Sequence, residues 1–373
     1  MIALVAGTRP NFMKVAPIWR ALKARDLGVR LIHTGQHFDA AMSDVFFRDL
    51  GMPEPDVRLN AGGGTHAEQT AAVLVGIERE LTQGVRPAVV VVVGDVTSTM
   101  AAALAAAKVG VPVVHVEAGL RSRDWSMPEE INRVVTDQLS DLLLTPSPEA
   151  EINLAAEGIP RERIRFVGNV MIDSLHWARR TRTDALARMG LRPGRYALVT
   201  LHRPANVDTR ESLEATLAAL EAICRRIPVL FPVHPRTVAR ANSLGLADRL
   251  HGISGLTTCD PIGYNDFVTL ESAARLVATD SGGIQEETTA LGIPCLTMRE
   301  GTERPVTVEE GTNIIVGLDV GKISAEVDAI LSGKGKTGRV PQGWDGRAAE
   351  RIADALVAFL AGTPQPKTTG PRA

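Results

Sequence analysis

Short β-branched and aliphatic runs alternate with amphipathic stretches along nearly the whole chain. Residues 2–6, 30–34, 89–93, 113–116, 142–145 and 164–167 form a first series of predicted strands. Several are apolar at every position, as expected of parallel strands covered on both faces; a half-exposed sheet would alternate. Between them, residues 13–24, 98–109 and 128–140 carry apolar side chains at helical spacing. A second series of strands follows at 196–202, 229–234, 275–279, 295–298 and 313–316. Strands and helices alternating in two series predict an α/β protein with two Rossmann-like, doubly wound parallel sheets.

The first domain is expected to span residues 1–170 and the second 171–345. The change falls near the polar, Arg-rich stretch 181–195. A last amphipathic segment, residues 346–361, is expected to pack back on the first domain. Residues 362–373, with three prolines and no periodicity, read as a disordered tail. The glycine-rich stretch 61–65 reads as a flexible loop rather than a phosphate cradle, since no predicted strand precedes it.

Length and composition support this picture. A chain of 373 residues exceeds the roughly 250–300 at which single cores stop growing. A formal net charge of -2 gives no polyelectrolyte character, so nucleic acid and anionic membrane surfaces are not expected partners. The three cysteines, Cys224, Cys259 and Cys295, are far apart and read as reduced, buried residues, not as a metal site. No apolar run approaches the ~20 residues of a membrane span, and no leader pattern is visible, which points to the cytoplasm.

Candidate chemistry sits where strands end, because open α/β sheets bind ligands at the carboxyl edge. The first strand runs into Gly7-Thr8-Arg9-Pro10, then a helix carrying Lys14. This is not G-x-G-x-x-G, and no acidic ribose partner follows, so NAD is not expected. Arg9 and Lys14 beside a helix N-terminus can clamp a diphosphate, or can be two solvated cations. Asp95, after five valines and a glycine, is either an N-cap or a functional carboxylate. Glu117 ends an all-apolar strand, where a charge is costly unless paired or catalytic; Arg121 is a possible structural partner. Ser126 and Glu129 have capping-box spacing, yet Glu129 shares a helix face with Arg133 and lies close to the Glu117 loop.

In the second half, His202 and His234 end corresponding strands, each beside an arginine. Thr279-Asp280-Ser281-Gly282-Gly283 is a strand, a small-residue turn and a helix start. Its glycines admit a ligand to backbone amides, and the helix N-terminus favours a diphosphate there. Glu287, one turn further on, can bind ribose hydroxyls, and Arg304 adds a cation to the same rim.

The segments GTRP, GDVTST, HVEAGLRS, MPEEINR, TLHRP, FPVHPRT, TDSGGIQEE and TERP occur in that order over about residues 1–320. Singly they are weak; together they resemble the non-hydrolysing UDP-N-acetylglucosamine 2-epimerase family. The resemblance implies a glycosyltransferase-B-like fold with a UDP-sugar in the interdomain cleft, and a homodimer. It implies Asp95, Glu117, Glu129 and His202 as the catalytic set. Around the UDP it implies Arg9, Lys14, His202, His234, Ser281, Gly282, Gly283, Glu287 and Arg304, with Phe267 against the uracil. It further implies elimination of UDP across C1–C2 and its re-addition, with no cofactor and no metal. Two related outcomes are 2-epimerisation of a UDP-2,3-diacetamido uronic acid and hydrolytic release of UDP.

The resemblance has departures. Members activated by their own substrate carry a second UDP-sugar site. Here Gln36-His37 runs into Phe38-Asp39, no Arg-Gln stands before Thr70, and Arg203 runs into Pro204-Ala205. The motif of the substrate-activated members is therefore not matched here, which leaves activation by substrate an open question at this point.

Overall fold

The computed structural model describes residues 1–35, 49–181 and 183–362, and of Arg9 the backbone alone. The Gln36-His37-Phe38-Asp39 stretch and the expected tail beyond Gly362 lie outside the described residues. Strands β1 (Ile2–Ala6), β2 (Val29–His33), β3 (Val57–Arg58), β4 (Val89–Val93), β5 (Val113–Val116), β6 (Leu142–Thr145) and β7 (Ile164–Phe166) form the first sheet. Strands β8 (Ala197–Thr200), β9 (Val229–Pro232), β10 (Leu256–Cys259), β11 (Leu276–Thr279), β12 (Cys295–Thr297) and β13 (Asn313–Ile315) form the second.

The orders are β3-β2-β1-β4-β5-β6-β7 and β10-β9-β8-β11-β12-β13, with every pairing parallel. Both sheets are thus doubly wound, and each reverses its winding beside its first strand. In the first sheet Ile2 registers with Val29 on one side and Val89 on the other. In the second, Leu276 registers with Ala197. The crevices at these reversals, after β1/β4 and β8/β11, are where such sheets hold ligands.

Central strands were legible because they are buried on both faces: all five valines of β4 are buried. The edge strands β3 and β10 lack that signature. β3 has two residues and β10 reads Leu-Thr-Thr-Cys, neither fully buried. The glycine-rich stretch therefore does follow a strand, and Thr65 N-caps the helix His66–Thr82. Its hydroxyl accepts from the Glu68 amide while Glu68 accepts from the Thr65 amide, a capping box.

The first sheet buries two apolar layers. Ala3, Val5, Val90 and Val92 pack with Ala101, Ala102, Ala103, Ala105, Ala106 and Val73 on one face. Leu4, Val91, Val114 and Val116 pack on the other with Phe12, Ile18, Ile172 and Leu175. That second layer also takes Ile352, Ala353 and Leu356 from the helix Ala348–Gly362, at the far end of the chain. Specific bonds fix the return. The Asp173 carboxylate accepts from the Ala348 and Ala349 amides at 3.1 and 2.9 Å. The Trp344 indole donates to the Pro146 carbonyl at 3.2 Å, and Arg351 Nε to the Val167 carbonyl at 2.6 Å. The second sheet has its own core of Leu217, Leu220, Phe231, Leu296 and Val327. No described helix is long and apolar enough to cross a membrane.

Leu356 is fully buried in the first core. Leu356→Ala should lower unfolding stability by about 2–5 kcal/mol, read as a lower urea midpoint with an unchanged slope. A midpoint shift within error would place the terminal helix outside that core.

Candidate functional site

The first switch point is built around Asn11. Its Oδ1 accepts from the Gly7 and Thr8 amides, both at 3.1 Å, while its Nδ2 donates to the Val93 carbonyl at 2.8 Å. One buried amide therefore ties the end of β1 to the end of β4. Gly7 permits this approach, since a Cβ there would lie 2.5 Å from the Ser98 side chain. The helix Arg9–Lys23 then aims Lys14 at Glu117, Nζ to Oε1 at 2.6 Å. Arg9 opens this helix, but its side chain lies outside the described residues.

Glu117 is 5% exposed and has φ +72°, in the left-handed region. A non-glycine residue there costs about 1–3 kcal/mol and persists only when its surroundings enforce it. Arg121 does not pair with it. That guanidinium bonds Glu157 at 2.6 Å and Asp137 at 2.7 Å. Glu117 instead takes Lys14 from its own domain and Arg304 from the second, at 3.6 Å.

Arg304 is the centre of the facing cluster. Its Nε donates to Glu286 at 2.6 Å and Nη1 to Glu303 at 2.7 Å. Burial opposes its charge, but Glu286, Glu303 and Glu117 outweigh that and hold its pKa above the ordinary value. Burial likewise opposes charge on Glu303, yet Arg304, Arg299 and Arg203 keep its carboxyl well below the usual range. Glu286 goes the other way. Its full burial and the nearby Glu117 prevail over Arg304 and push it up.

The helix Pro128–Leu139 carries a buried charged stripe, Glu130, Arg133 and Asp137, at helical spacing. Glu130 accepts from the Ser122 and Arg123 amides, both at 2.9 Å, and pairs with Arg133 at 2.7 Å. Arg133 reaches Asp95 at 2.5 Å, and Asn132 Nδ2 donates to the Asp95 carbonyl at 2.9 Å. Asp95 is therefore an ion-paired carboxylate after β4, with its side chain 25% exposed. The expected Ser126–Glu129 capping box does not form. Ser126 instead donates to Asp124 at 2.6 Å, and Met127 is the N-cap. Glu129 is exposed and has no hydrogen bond or ion pair among the described residues. The carboxylate that Arg133 takes is Glu130, three residues away, and not Glu129.

In the second domain Asp280, fully buried, organises the switch point. It accepts from the His202 and Arg203 amides at 2.9 and 2.8 Å and from Asn206 Nδ2 at 3.0 Å. Burial works against its charge, but these bonds and His202 keep its pKa below normal. His202, half-exposed, presents its ring 3.0 Å from Asp280 and 5.9 Å, between centroids, from the ring of His234. His234 caps the helix Pro235–Ser243 through Nδ1.

Ser281 precedes the helix Gly282–Leu291. A Cβ on Gly282 would stand 2.6 Å from Arg304 Nη1, so glycine is what lets this cation lie against the turn. Gly283 faces Met171, with its would-be Cβ 3.6 Å from Cε. Glu287 is buried and accepts from the Tyr264 hydroxyl at 2.7 Å. Fully buried Glu271 interacts with it, and burial followed by Glu287 drives the Glu271 pKa well up. Phe267 is half-buried against the apolar cluster that includes Tyr196, Leu198 and Leu270.

The structure thus brings Lys14, Glu117 and Arg304 into contact, with Gly282 against Arg304. His202 and His234 adjoin each other, and Glu287 and Phe267 sit on neighbouring helices. Sequence reasoning did not single out Asn11, Glu130, His115, Asp137, Glu271, Glu286 or Glu303. The available signal was polar residues at apolar helical positions, as in the 130/133/137 stripe.

Fold and site define a class: a two-domain α/β protein of glycosyltransferase-B-like architecture with ionised groups of both domains meeting between the sheets. A family model described as UDP-N-acetylglucosamine 2-epimerase matches residues 20–357. The UDP-N-acetylglucosamine 2-epimerase of Methanocaldococcus jannaschii is 41% identical over 362 residues, 95% of this chain and 98% of the relative. The UDP-2,3-diacetamido-2,3-dideoxy-D-glucuronate 2-epimerase of Pseudomonas aeruginosa is also 41% identical, over 95% of this chain and 99% of the relative. The M. jannaschii crystal structure in complex with UDP-GlcNAc and UDP superposes with TM-score 0.88 at 41% identity, covering 96% of this chain and 99% of that one. The Neisseria meningitidis enzyme bound to UDP-GlcNAc gives 0.86 at 28% identity, over 96% of this chain and 99% of that one. The chain belongs to the UDP-N-acetylglucosamine 2-epimerase family.

Two stability predictions follow from the buried charges. Lys14→Met leaves Glu117 with only the longer Arg304 contact, so unfolding stability should fall by about 3–5 kcal/mol. Adding Glu117→Leu should restore most of it, and a double variant as unstable as the single one would refute the pairing. Glu271 holds its proton in the folded state after the unfolded chain has lost it, so it subtracts stability as pH rises past the ordinary carboxyl value. Glu271→Gln should therefore raise the melting temperature at neutral and higher pH, with the gain vanishing toward pH ~4. A pH-independent difference would contradict this.

Proposed function

We propose that this enzyme, an isomerase, interconverts UDP-N-acetylglucosamine and UDP-N-acetylmannosamine without NAD or a metal. Family membership supports the reaction. The observation that carries the mechanism is the meeting of Glu117 and Lys14 with Arg304 across the two domains. The C2–H of a 2-acetamido sugar has no adjacent carbonyl to acidify it. Removing the proton while the C1–O bond breaks avoids a free carbanion. The C–H electron pair becomes the C1–C2 double bond, and the C1–O pair leaves with UDP. The UDP oxygen then adds back to C1, and an acid delivers a proton to the opposite face of C2. Two faces need two proton-handling positions.

We assign that work to Asp95, Glu117 and Glu129 together with His202. Asp95 and Glu117 follow adjacent strands and are each held by a cation. Glu129 is exposed at the start of its helix, and its carboxylate is engaged by no hydrogen bond or ion pair among the described residues. Charge gathers on the leaving diphosphate, and Arg9, Lys14, Arg304, His202 and the Ser281–Gly283 amides would stabilise it. His234 lies beside His202 on that rim. Glu287 would take the ribose hydroxyls and Phe267 the uracil. The protein would act as a homodimer in the cytoplasm.

The equal identity to the Pseudomonas aeruginosa diacetamido uronate epimerase supports that sugar as the second reading. Proton NMR in deuterated buffer separates the readings. UDP-N-acetylglucosamine should yield the 2-epimer with deuterium at C2 and no accumulation of free UDP. If only the diacetamido uronate turned over, the second reading would stand. If free UDP rose with each turnover, the enzyme would be a hydrolysing one. Asp95→Asn and Glu117→Gln should each lower turnover and C2 exchange by about 100-fold or more with UDP affinity nearly kept. Near-normal turnover in either variant removes that residue from the set.

A further inference from the structure

Behind the Asp95 and Glu117 turns lies a buried pair that the proposed chemistry does not use. His115 and Asp137 are both fully buried. His115 Nδ1 lies 2.6 Å from Asp137 Oδ1, and Nε2 lies 2.8 Å from the Gly94 carbonyl. Both partners are acceptors: a carbonyl oxygen, and a carboxylate that already receives the Gly119 amide at 3.1 Å and Arg121 at 2.7 Å. The ring is therefore held at both nitrogens, with Nε2 donating to the Gly94 carbonyl and Nδ1 in contact with Asp137.

The placement of these bonds is specific. Gly94, at φ +70°, is the residue before Asp95. Its amide donates to the Val116 carbonyl at 3.0 Å and its carbonyl receives His115, so the Gly94 peptide groups are held from both ends by β5. Asp137 grips the chain on both sides of Glu117, at His115 before it and at Gly119 and Arg121 after it. Glu117 itself sits in the left-handed region, which needs such bracing.

We infer that His115 and Asp137 are positioning residues for the epimerisation, fixing the separation between the Asp95 and Glu117 turns through one continuous hydrogen-bonded chain. This rests on the proposed roles of Asp95 and Glu117. Neither positioning residue contacts the sugar. Their effect is to keep the two proton-handling groups in register across a ring only a few ångströms thick, where a displacement of about 1 Å costs on the order of 100-fold in rate. Misregister also changes partitioning: when the returning proton is late, UDP and the unsaturated sugar escape before re-addition.

The test uses the full-length enzyme with UDP-N-acetylglucosamine. His115→Phe removes both ring nitrogens at similar size, and Asp137→Asn replaces a two-oxygen group that meets both His115 and Gly119 with a single acceptor oxygen. Each should lower kcat by about 30–100-fold with KM and UDP affinity within about threefold, and should raise the free UDP released per epimerised product. His115→Gln, whose amide still donates toward Gly94, should recover part of kcat and of the normal partitioning. Retention of kcat within about threefold in a folded His115→Phe or Asp137→Asn protein overturns the inference. Parallel loss of kcat, UDP affinity and melting temperature, with no change in UDP release, assigns a purely structural role and overturns it too. Should His115→Phe fail to fold, Asp137→Asn and His115→Gln carry the same readouts. Glu117→Gln and Asp95→Asn serve as controls. If they keep turnover, the underlying mechanism is wrong; if they lose it and the positioning variants do not, only this inference falls.

Discussion

A buried carboxylate stays charged only where cations or hydrogen-bond donors replace the water it has lost, and Glu117 is where that constraint shapes this molecule. Its side chain is 4% exposed, with Lys14 at 2.6 Å. The second cation, Arg304 at 3.6 Å, belongs to the other sheet. The two domains therefore share one charge problem at their junction. Removing a partner from such a group leaves an uncompensated buried charge, which costs far more than the intact pair contributes. This explains why Arg304 is itself held by Glu286 and Glu303, and why Glu303 is in turn flanked by Arg299 and Arg203. Each ion is buried beside another, and the network ends at half-buried residues near solvent.

The same logic governs the strand ends of the first domain. Loops at a carboxyl edge have backbone groups with no sheet partner, and here one helix face satisfies them. Glu130 takes the 122–123 amides, Arg133 takes Asp95, and Asp137 takes His115 and Gly119. Helical spacing turns this stripe into a fixed template, because residues 130, 133 and 137 cannot move independently. The strained φ of Glu117 is tolerated inside this frame. A site meant to serve two faces of one sugar ring gains from being held by a single rigid element.

How much of this was legible in the chain follows from burial. Strands covered on both faces announced themselves as unbroken apolar runs, so the centres of both sheets and their parallel pairing were readable. β3 and β10, short and at the sheet edges, carry too little apolar content to register. Carboxylates at strand ends stood out because burial is costly there, which picked out Asp95 and Glu117. The partners were a different matter. Lys14 and Glu117 are 103 residues apart and meet only because β1 and β5 flank β4. Arg121 looked like the natural partner by proximity, yet a turn after Glu117 sends it to Asp137 and Glu157. Glu129 and Glu130 could not be told apart by spacing, since neighbouring residues on a helix differ in direction by ~100° and only packing decides which one is buried. Glu130 is buried and Glu129 is not.

The buried network also bears on how the proposed reaction can begin. Lys14 and Arg304 both face carboxylates, so under the proposed assignment a diphosphate would compete with Glu117, Glu286 and Glu303 for them. Glu286 is already pushed up by burial and by Glu117, which disposes it to give up its charge. A dianion drawn to Lys14 and Arg304 would take neutralising charge from Glu117, and a carboxylate deprived of cations is a stronger base. On this account substrate binding and base activation are one event, with the leaving group arming the residue that starts its departure. The protein gains from that coupling because a strong buried base would otherwise cost stability in the absence of work to do.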